Sequence, residues 1–107
     1  MSLLDIAVVT DEERVVVRLS GEADLSTGAE LAAALDRAAA LGSDDVLIDV
    51  TGVRFCDCSG LRALAAFGAE LGQLGRACRL TGASQRLRRL LELAGFTDLL
   101  DEAATAR

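Results

Sequence analysis

The stretch Val46-Leu47-Ile48-Asp49-Val50-Thr51-Gly52-Val53-Arg54-Phe55-Cys56-Asp57-Cys58-Ser59-Gly60-Leu61-Arg62-Ala63-Leu64 decides the fold. With Asp45, its opening reads as a strand over 45–50, and the apolar centre is continuous. Such a run predicts a strand covered on both faces, as in a parallel sheet. The pattern then changes period. Leu61, Leu64, Ala65, Gly68, Leu71 and Leu74 recur at helical spacing, which predicts a helix from about Ser59 to Leu74, stopped by Gly75. Asp57-Cys58-Ser59-Gly60 therefore sits where a strand exits and a helix opens. In open α/β sheets this edge gathers functional groups, because unpaired N–H groups and the positive end of the helix dipole point there. The plain alternative is that Asp57 or Ser59 serves only as a helix cap.

Upstream, 26–41 reads as a helix capped by Ser26 or Thr27, with Leu31, Leu35, Ala38 and Ala39 on one face and Gly42 as its stop. Residues 5–9 and 14–20 read as strands joined by the polar turn Thr10-Asp11-Glu12-Glu13, with Gly21 ending the second. Downstream, Cys78-Arg79-Leu80-Thr81 is a short strand. Ser84 caps a third helix that turns Leu87, Leu90, Leu91 and Ala94 inward and ends at Gly95. Thr97 to Arg107 are expected to form a short strand or helical turn with a frayed end. The order β-β-α-β-α-β-α predicts an α/β fold: a mixed, mostly parallel sheet opened by a hairpin, with right-handed crossovers placing the helices mainly on one face. The 107 residues fit one domain, and no linker or repeat interrupts them.

Composition narrows the chemistry. There is no His, which removes the commonest general base and metal ligand, and every basic residue is Arg, which removes Schiff-base and P-loop lysines. A net charge of −6 argues against nucleic acid and against an anionic membrane surface. The N-terminus has no signal-peptide pattern, and three cysteines do not make an even disulfide framework, so a cytoplasmic protein with reduced thiols is expected. Cys56-x-Cys58 lacks the partners of a zinc site, and no cofactor is called for. Cys56 and Cys78 read as small buried hydrophobes. The spacing Gly68-x-x-x-Gly72-x-x-Gly75 is wrong for a dinucleotide loop and fits close helix–sheet packing plus a helix stop. A nucleophilic enzyme built on Cys58 has no evident base, so no catalytic residue is assigned.

The quoted stretch resembles the signature of STAS domains, and more narrowly of bacterial anti-sigma factor antagonists. Gly21-Glu22-Ala23-Asp24-Leu25-Ser26-Thr27 is similar to that family's turn into the first helix. Leu87-Arg88-Arg89-Leu90-Leu91-Glu92-Leu93-Ala94-Gly95-Phe96 is similar to its later L-x-x-L-L-E-L-x-G segment. The resemblance covers nearly the whole chain and implies a single STAS domain over 1–107. It implies partner switching: the antagonist binds an anti-sigma factor with serine kinase activity, a sigma factor is released, and phosphorylation of a serine at the start of the second helix ends binding. It places the docking surface on Asp24, Asp57, Cys58, Ser59, Gly60, Leu61 and Arg62. For Leu61, a core position is an equal alternative.

The chain departs from the family pattern D-S-S-G-L at one position. Cys58 stands where the phosphorylated serine is expected, and Ser59, matching the second serine, is the remaining acceptor candidate. Three forms of control follow: an antagonist governed by its abundance, phosphorylation on Ser59, or oxidation of Cys58. Ala29, where the family often has Pro, is a mild second departure. A monomer is expected, with a weak dimer as the alternative state. The rival reading is a STAS scaffold or sensor module in a larger signalling assembly.

Overall fold

A computed structural model describes residues 3–11, 14–42 and 45–96. β1 (Leu4–Asp11) pairs antiparallel with β2 (Arg14–Ala23), from Leu4 opposite Gly21 to Asp11 opposite Arg14. This is the expected hairpin, with strands longer than their apolar centres; Glu12 and Glu13 lie outside the described residues. A single 3₁₀ turn (Leu25–Thr27) leads into α1 (Gly28–Ala40). Then follow β3 (Val46–Cys56), α2 (Cys58–Gln73), β4 (Cys78–Thr81) and α3 (Gln85–Ala94). The sheet order is β1-β2-β3-β4, and β3 runs parallel to both of its neighbours. The mixed α/β architecture expected from the sequence is therefore present. The segment expected over Thr97 to Arg107 lies outside the described residues.

Alternation sets the core. Val15, Val17 and Leu19 of β2 and Val46, Ile48 and Val50 of β3 are buried and join one cluster with Leu31 and Leu35 of α1, Leu64 and Leu71 of α2, and Leu87 and Leu91 of α3. Burying a leucine side chain such as Leu64 contributes about 2 kcal/mol. On the other face, Leu47 and Asp49 are only half-buried, so β3 is not covered equally on both sides. Across the strands Val9, Val16 and Leu47 stand in register, and Val16 is buried although it stands outside the main core cluster.

Several local expectations change. β2 does not stop at Gly21; it bends there (φ 116°) and continues to Ala23. A side chain at Gly21 would collide with the Leu3 carbonyl oxygen, so glycine is required at this crossing. β3 does not stop at Val50 but runs six residues further, to Cys56. Leu74 is not core: it caps α2 and is exposed, while Phe67 fills the stripe instead. A Cβ added at Gly72 would meet nothing within 4 Å, so close packing does not require glycine there; Gly75 (φ 73°) does provide the turn after α2. α3 ends as expected, at Gly95 in the left-handed region (φ 81°), with the Phe96 N–H donating to the Leu91 carbonyl at 2.8 Å.

Candidate functional site

The C-terminal ends of β2 and β3 build the site. Ala23 and Cys56 are the last paired residues of the two strands. The next amide locks them together: the Asp57 N–H donates to the Ala23 carbonyl at 3.1 Å. Asp57 itself is extended (φ −101°, ψ −173°), and its carboxylate accepts from the Gly60 N–H at 3.1 Å. It is the N-cap of α2, as the cap reading of Asp57 proposed. The Leu61 N–H donates to the Asp57 carbonyl at 3.0 Å, so one residue supplies both side-chain and main-chain acceptors to the first turn.

This turn sorts its residues by depth. Cys58, the first helical residue, is exposed, and so is Arg62 one turn later; Ser59 is half-buried. Gly60 is buried because the helix start lies directly on the strand ends. A Cβ there would sit 2.5 Å from the Ala23 oxygen and 2.9 Å from the Cys56 sulfur. Leu61 is only 3% exposed and belongs to the core cluster. Of its two readings, the structure gives the core one, so Leu61 supports the surface from beneath. The presented groups are Cys58 and Arg62, with part of Ser59 and Asp57.

Asp24 follows Ala23 directly and so emerges at the same sheet edge. The side-chain cap expected from Ser26 or Thr27 is made by neither; Asp24 does the capping, one 3₁₀ turn earlier. Its carboxylate accepts from the Ser26 N–H at 2.9 Å and the Ser26 hydroxyl at 2.6 Å. In return the Asp24 N–H donates to Thr27 Oγ1 at 3.0 Å, and the Thr27 hydroxyl donates to the Glu22 carbonyl at 2.9 Å. Thr27 is buried, and these bonds satisfy it. The Ser26 hydroxyl bond, opposed by some desolvation and helped by the Ser26 and Thr27 groups, holds the Asp24 carboxyl below its ordinary value. Asp24 and Asp57 are thus two fixed anions at one edge, each pinned by its own turn.

The thiols divide sharply. Cys56 and Cys78 are buried and Cys58 is exposed, all three unbridged. Burial pushes the Cys56 thiol up to about 11, reinforced by the Asp57 charge and by Cys58. Burial pushes Cys78 up to about 11 as well, against the opposing charge of Arg79. Both behave as the small hydrophobes expected of them.

Beside this edge lies a feature not read from the sequence, a cleft of about 280 Å³. Its apolar walls are Val53, Phe55 and Cys56 from β3, Leu61 from α2, and Leu87 and Leu90 from α3. The signal was present in the alternation Val53-Arg54-Phe55, which continues a strand; Gly52 masked it. Among the described residues no cluster of three or more His, Cys, Asp or Glu is placed to hold a metal ion, and no helix is long and apolar enough to cross a membrane.

A family model described as "Mlab, STAS domain" matches residues 6–101. The chain belongs to the STAS domain family. This STAS domain is 29% identical over 97 residues to an anti-sigma-B factor antagonist of Staphylococcus epidermidis, covering 91% of this chain and 90% of that protein. It is similar to the crystal structure of an anti-sigma factor antagonist from Mycobacterium paratuberculosis, with 30% identity and a TM-score of 0.76 over 96% of this chain and 92% of that one. It also shares its fold with the Bacillus cell fate determinant SpoIIAA in its phosphorylated form, with 22% identity and a TM-score of 0.70 over 96% and 98% of the two chains. The family match runs from within β1 through all three helices, including the strand ends that carry Asp24 and Asp57.

Proposed function

We propose that this STAS domain is an anti-sigma factor antagonist. It binds an anti-sigma factor of the serine kinase type and thereby releases a sigma factor for transcription. It acts by occupying its partner rather than by catalysis. The observation that carries this reading is the first turn of α2, where Asp57 fixes the helix start and leaves Cys58 and Arg62 exposed. The similarity to antagonists from Mycobacterium and Staphylococcus supports it. Docking uses Asp24, Asp57, Cys58, Ser59 and Arg62 at the surface, with Gly60 and Leu61 holding the turn against the core.

Control differs from the family pattern. A thiol, not a hydroxyl, stands at the exposed first residue of the turn. A thiol is a poor acceptor for a serine kinase, so the complex persists in the presence of ATP and is governed by abundance. Ser59 is the remaining acceptor. A phosphoryl group there would add about −1.5 to −2 charges beside Asp57 and oppose an acidic partner face. Oxidation of the Cys58 thiol is a third route to the same loss of fit.

The test is affinity capture of the tagged chain from its own cells, with mass spectrometry of the retained proteins and of the bait. An ATPase-type anti-sigma factor with an unmodified bait supports the abundance-controlled antagonist. The same partner with phosphate on Ser59 supports the switch. Other STAS proteins in its place would overturn the antagonist reading in favour of a scaffold.

A further inference from the structure

The cleft beside the Asp57 turn has the features of a peptide groove. It is lined by four consecutive residues of β3, Val53, Arg54, Phe55 and Cys56. Side chains of a strand alternate between its faces, so a cavity that meets four in a row sees the strand edge-on. The pairing agrees. β4 accompanies β3 only as far as Asp49 opposite Thr81, whereas β2 follows β3 to Cys56. From Thr51 onward, among the described residues, no strand pairs with β3 on the side away from β2. Gly82 explains the departure: with φ 77° it turns the chain away, and a Cβ there would strike the Thr51 hydroxyl. The opposite wall is α3, through Ser84, Arg86, Leu87 and Leu90.

Among the described residues the groove therefore offers an unpaired strand edge, an apolar floor and a defined charge. Phe55 is 46% exposed in it, a large apolar surface in a domain with three aromatic residues. Its charged lining residues are Arg54, Arg86 and Asp57, two cations against one anion, and the Asp57 carboxylate is held at the helix start by the Gly60 N–H. Arg86 is followed by Arg88 and Arg89 in the first half of α3. Cations at that end oppose the helix dipole, so helix stability does not account for their placement. Arg88 and Arg89 lie outside the lining of this cleft, so in a chain with net charge −6 it is Arg54 and Arg86 that make the groove locally cationic.

We propose that this groove binds an extended, acidic and apolar peptide segment of a partner protein, which adds as a strand to the free edge of β3 at Val53–Cys56. The added strand takes main-chain hydrogen bonds from β3, sets alternate apolar side chains against Phe55, Leu87 and Leu90, and points its carboxylates to Arg54 and Arg86. The groove shares Asp57, Cys58 and Leu61 with the anti-sigma docking turn, but strand addition to the β3 edge needs neither the Cys58 thiol nor the Ser59 hydroxyl.

The full chain is used to select from a random decapeptide display library. The expected result is enrichment of sequences alternating apolar and acidic residues. Their binding should protect from hydrogen exchange the alternate amides of Val53–Cys56 that face away from β2. It should weaken at least about tenfold in R54E/R86E, and by a similar factor when alternate peptide nitrogens are methylated. Both arginines are exposed, and circular dichroism of the variant checks that its fold is retained. No enrichment, enrichment without acidic residues, or affinity unchanged by charge reversal or N-methylation would overturn the proposal. So would protection of the same amides by decanoate but by no peptide, or by self-association of the chain alone; these outcomes assign the groove to a small amphiphile or to a second copy.

Discussion

The α2 backbone at Gly60 rests on the carbonyl of Ala23, so closely that a methyl group at position 60 would lie 2.5 Å from that oxygen. The contact ties the start of α2 to the end of β2 and fixes the height at which Cys58 and Arg62 are presented. In Gly60→Ala the methyl must push the helix start off the strands. Overpacking of this kind costs about 1–3 kcal/mol, more than the gain of up to ~1 kcal/mol from replacing a helical glycine. Urea denaturation should show a net loss of stability, and anti-sigma binding should fall with it. An unchanged midpoint would mean that the helix start is not held by this contact.

Removing the cap separates the turn's geometry from its charge. Asp57→Ala leaves the Gly60 N–H without its acceptor and should lower stability by about 1 kcal/mol, whereas Asp57→Asn keeps an acceptor and should recover most of it. Denaturant titration of the two variants checks this. Equal losses in both would show that the negative charge, not the cap bond, is what the turn requires.

The thiols should respond to alkylation in order of burial. At about pH 8, iodoacetamide should label Cys58 in the native protein and reach Cys56 and Cys78 only on unfolding. Burial raises both inner thiols from 9.0 to about 11, so the folded state holds them neutral. Their contribution to stability is complete below the unfolded value, near 9, and is lost as pH rises from there through about 11. Replacing Cys78 by Ala should therefore flatten the alkaline fall in stability, measured by denaturation between these limits.

Position 58 should decide whether the antagonist can be switched. Cys58→Ser returns a hydroxyl to the exposed first residue of α2. With a kinase-type anti-sigma factor and ATP, this variant should gain phosphate at residue 58 and lose binding, while the natural chain should not. Intact-mass spectrometry reads the gain directly. Phosphate appearing on the natural chain at Ser59 would instead assign control to that hydroxyl.

How much of this was legible before the structure depended on periodicity. β4, the hairpin, Ser84 and Gly95 followed from alternation and from residues whose cap chemistry is local. Asp57 was found because an acid between a strand and a helical repeat has a clear local role. The end of β3 was missed because Gly52 interrupts its apolar pattern, and the bulges that let β2 follow it are tertiary features. The cleft was missed for the same reason, since it exists only because β3 outruns β4. Leu61 was ambiguous because the first inward turn of a helix is both core and rim. Asp24 was overlooked as a cap because Ser26 and Thr27, better placed for α1, are occupied by the preceding 3₁₀ turn.

The most direct test of the antagonist reading is displacement. The anti-sigma factor retained from the native cells is loaded with its sigma factor and titrated with the purified chain in the presence of ATP, and free sigma factor is followed by size-exclusion chromatography. The account predicts release of the sigma factor by the natural chain, sustained in ATP, and lost when Arg62→Glu or Asp24→Arg alters the exposed edge. A sigma factor that stays bound at every concentration of the chain, while the chain elutes alone, would contradict it.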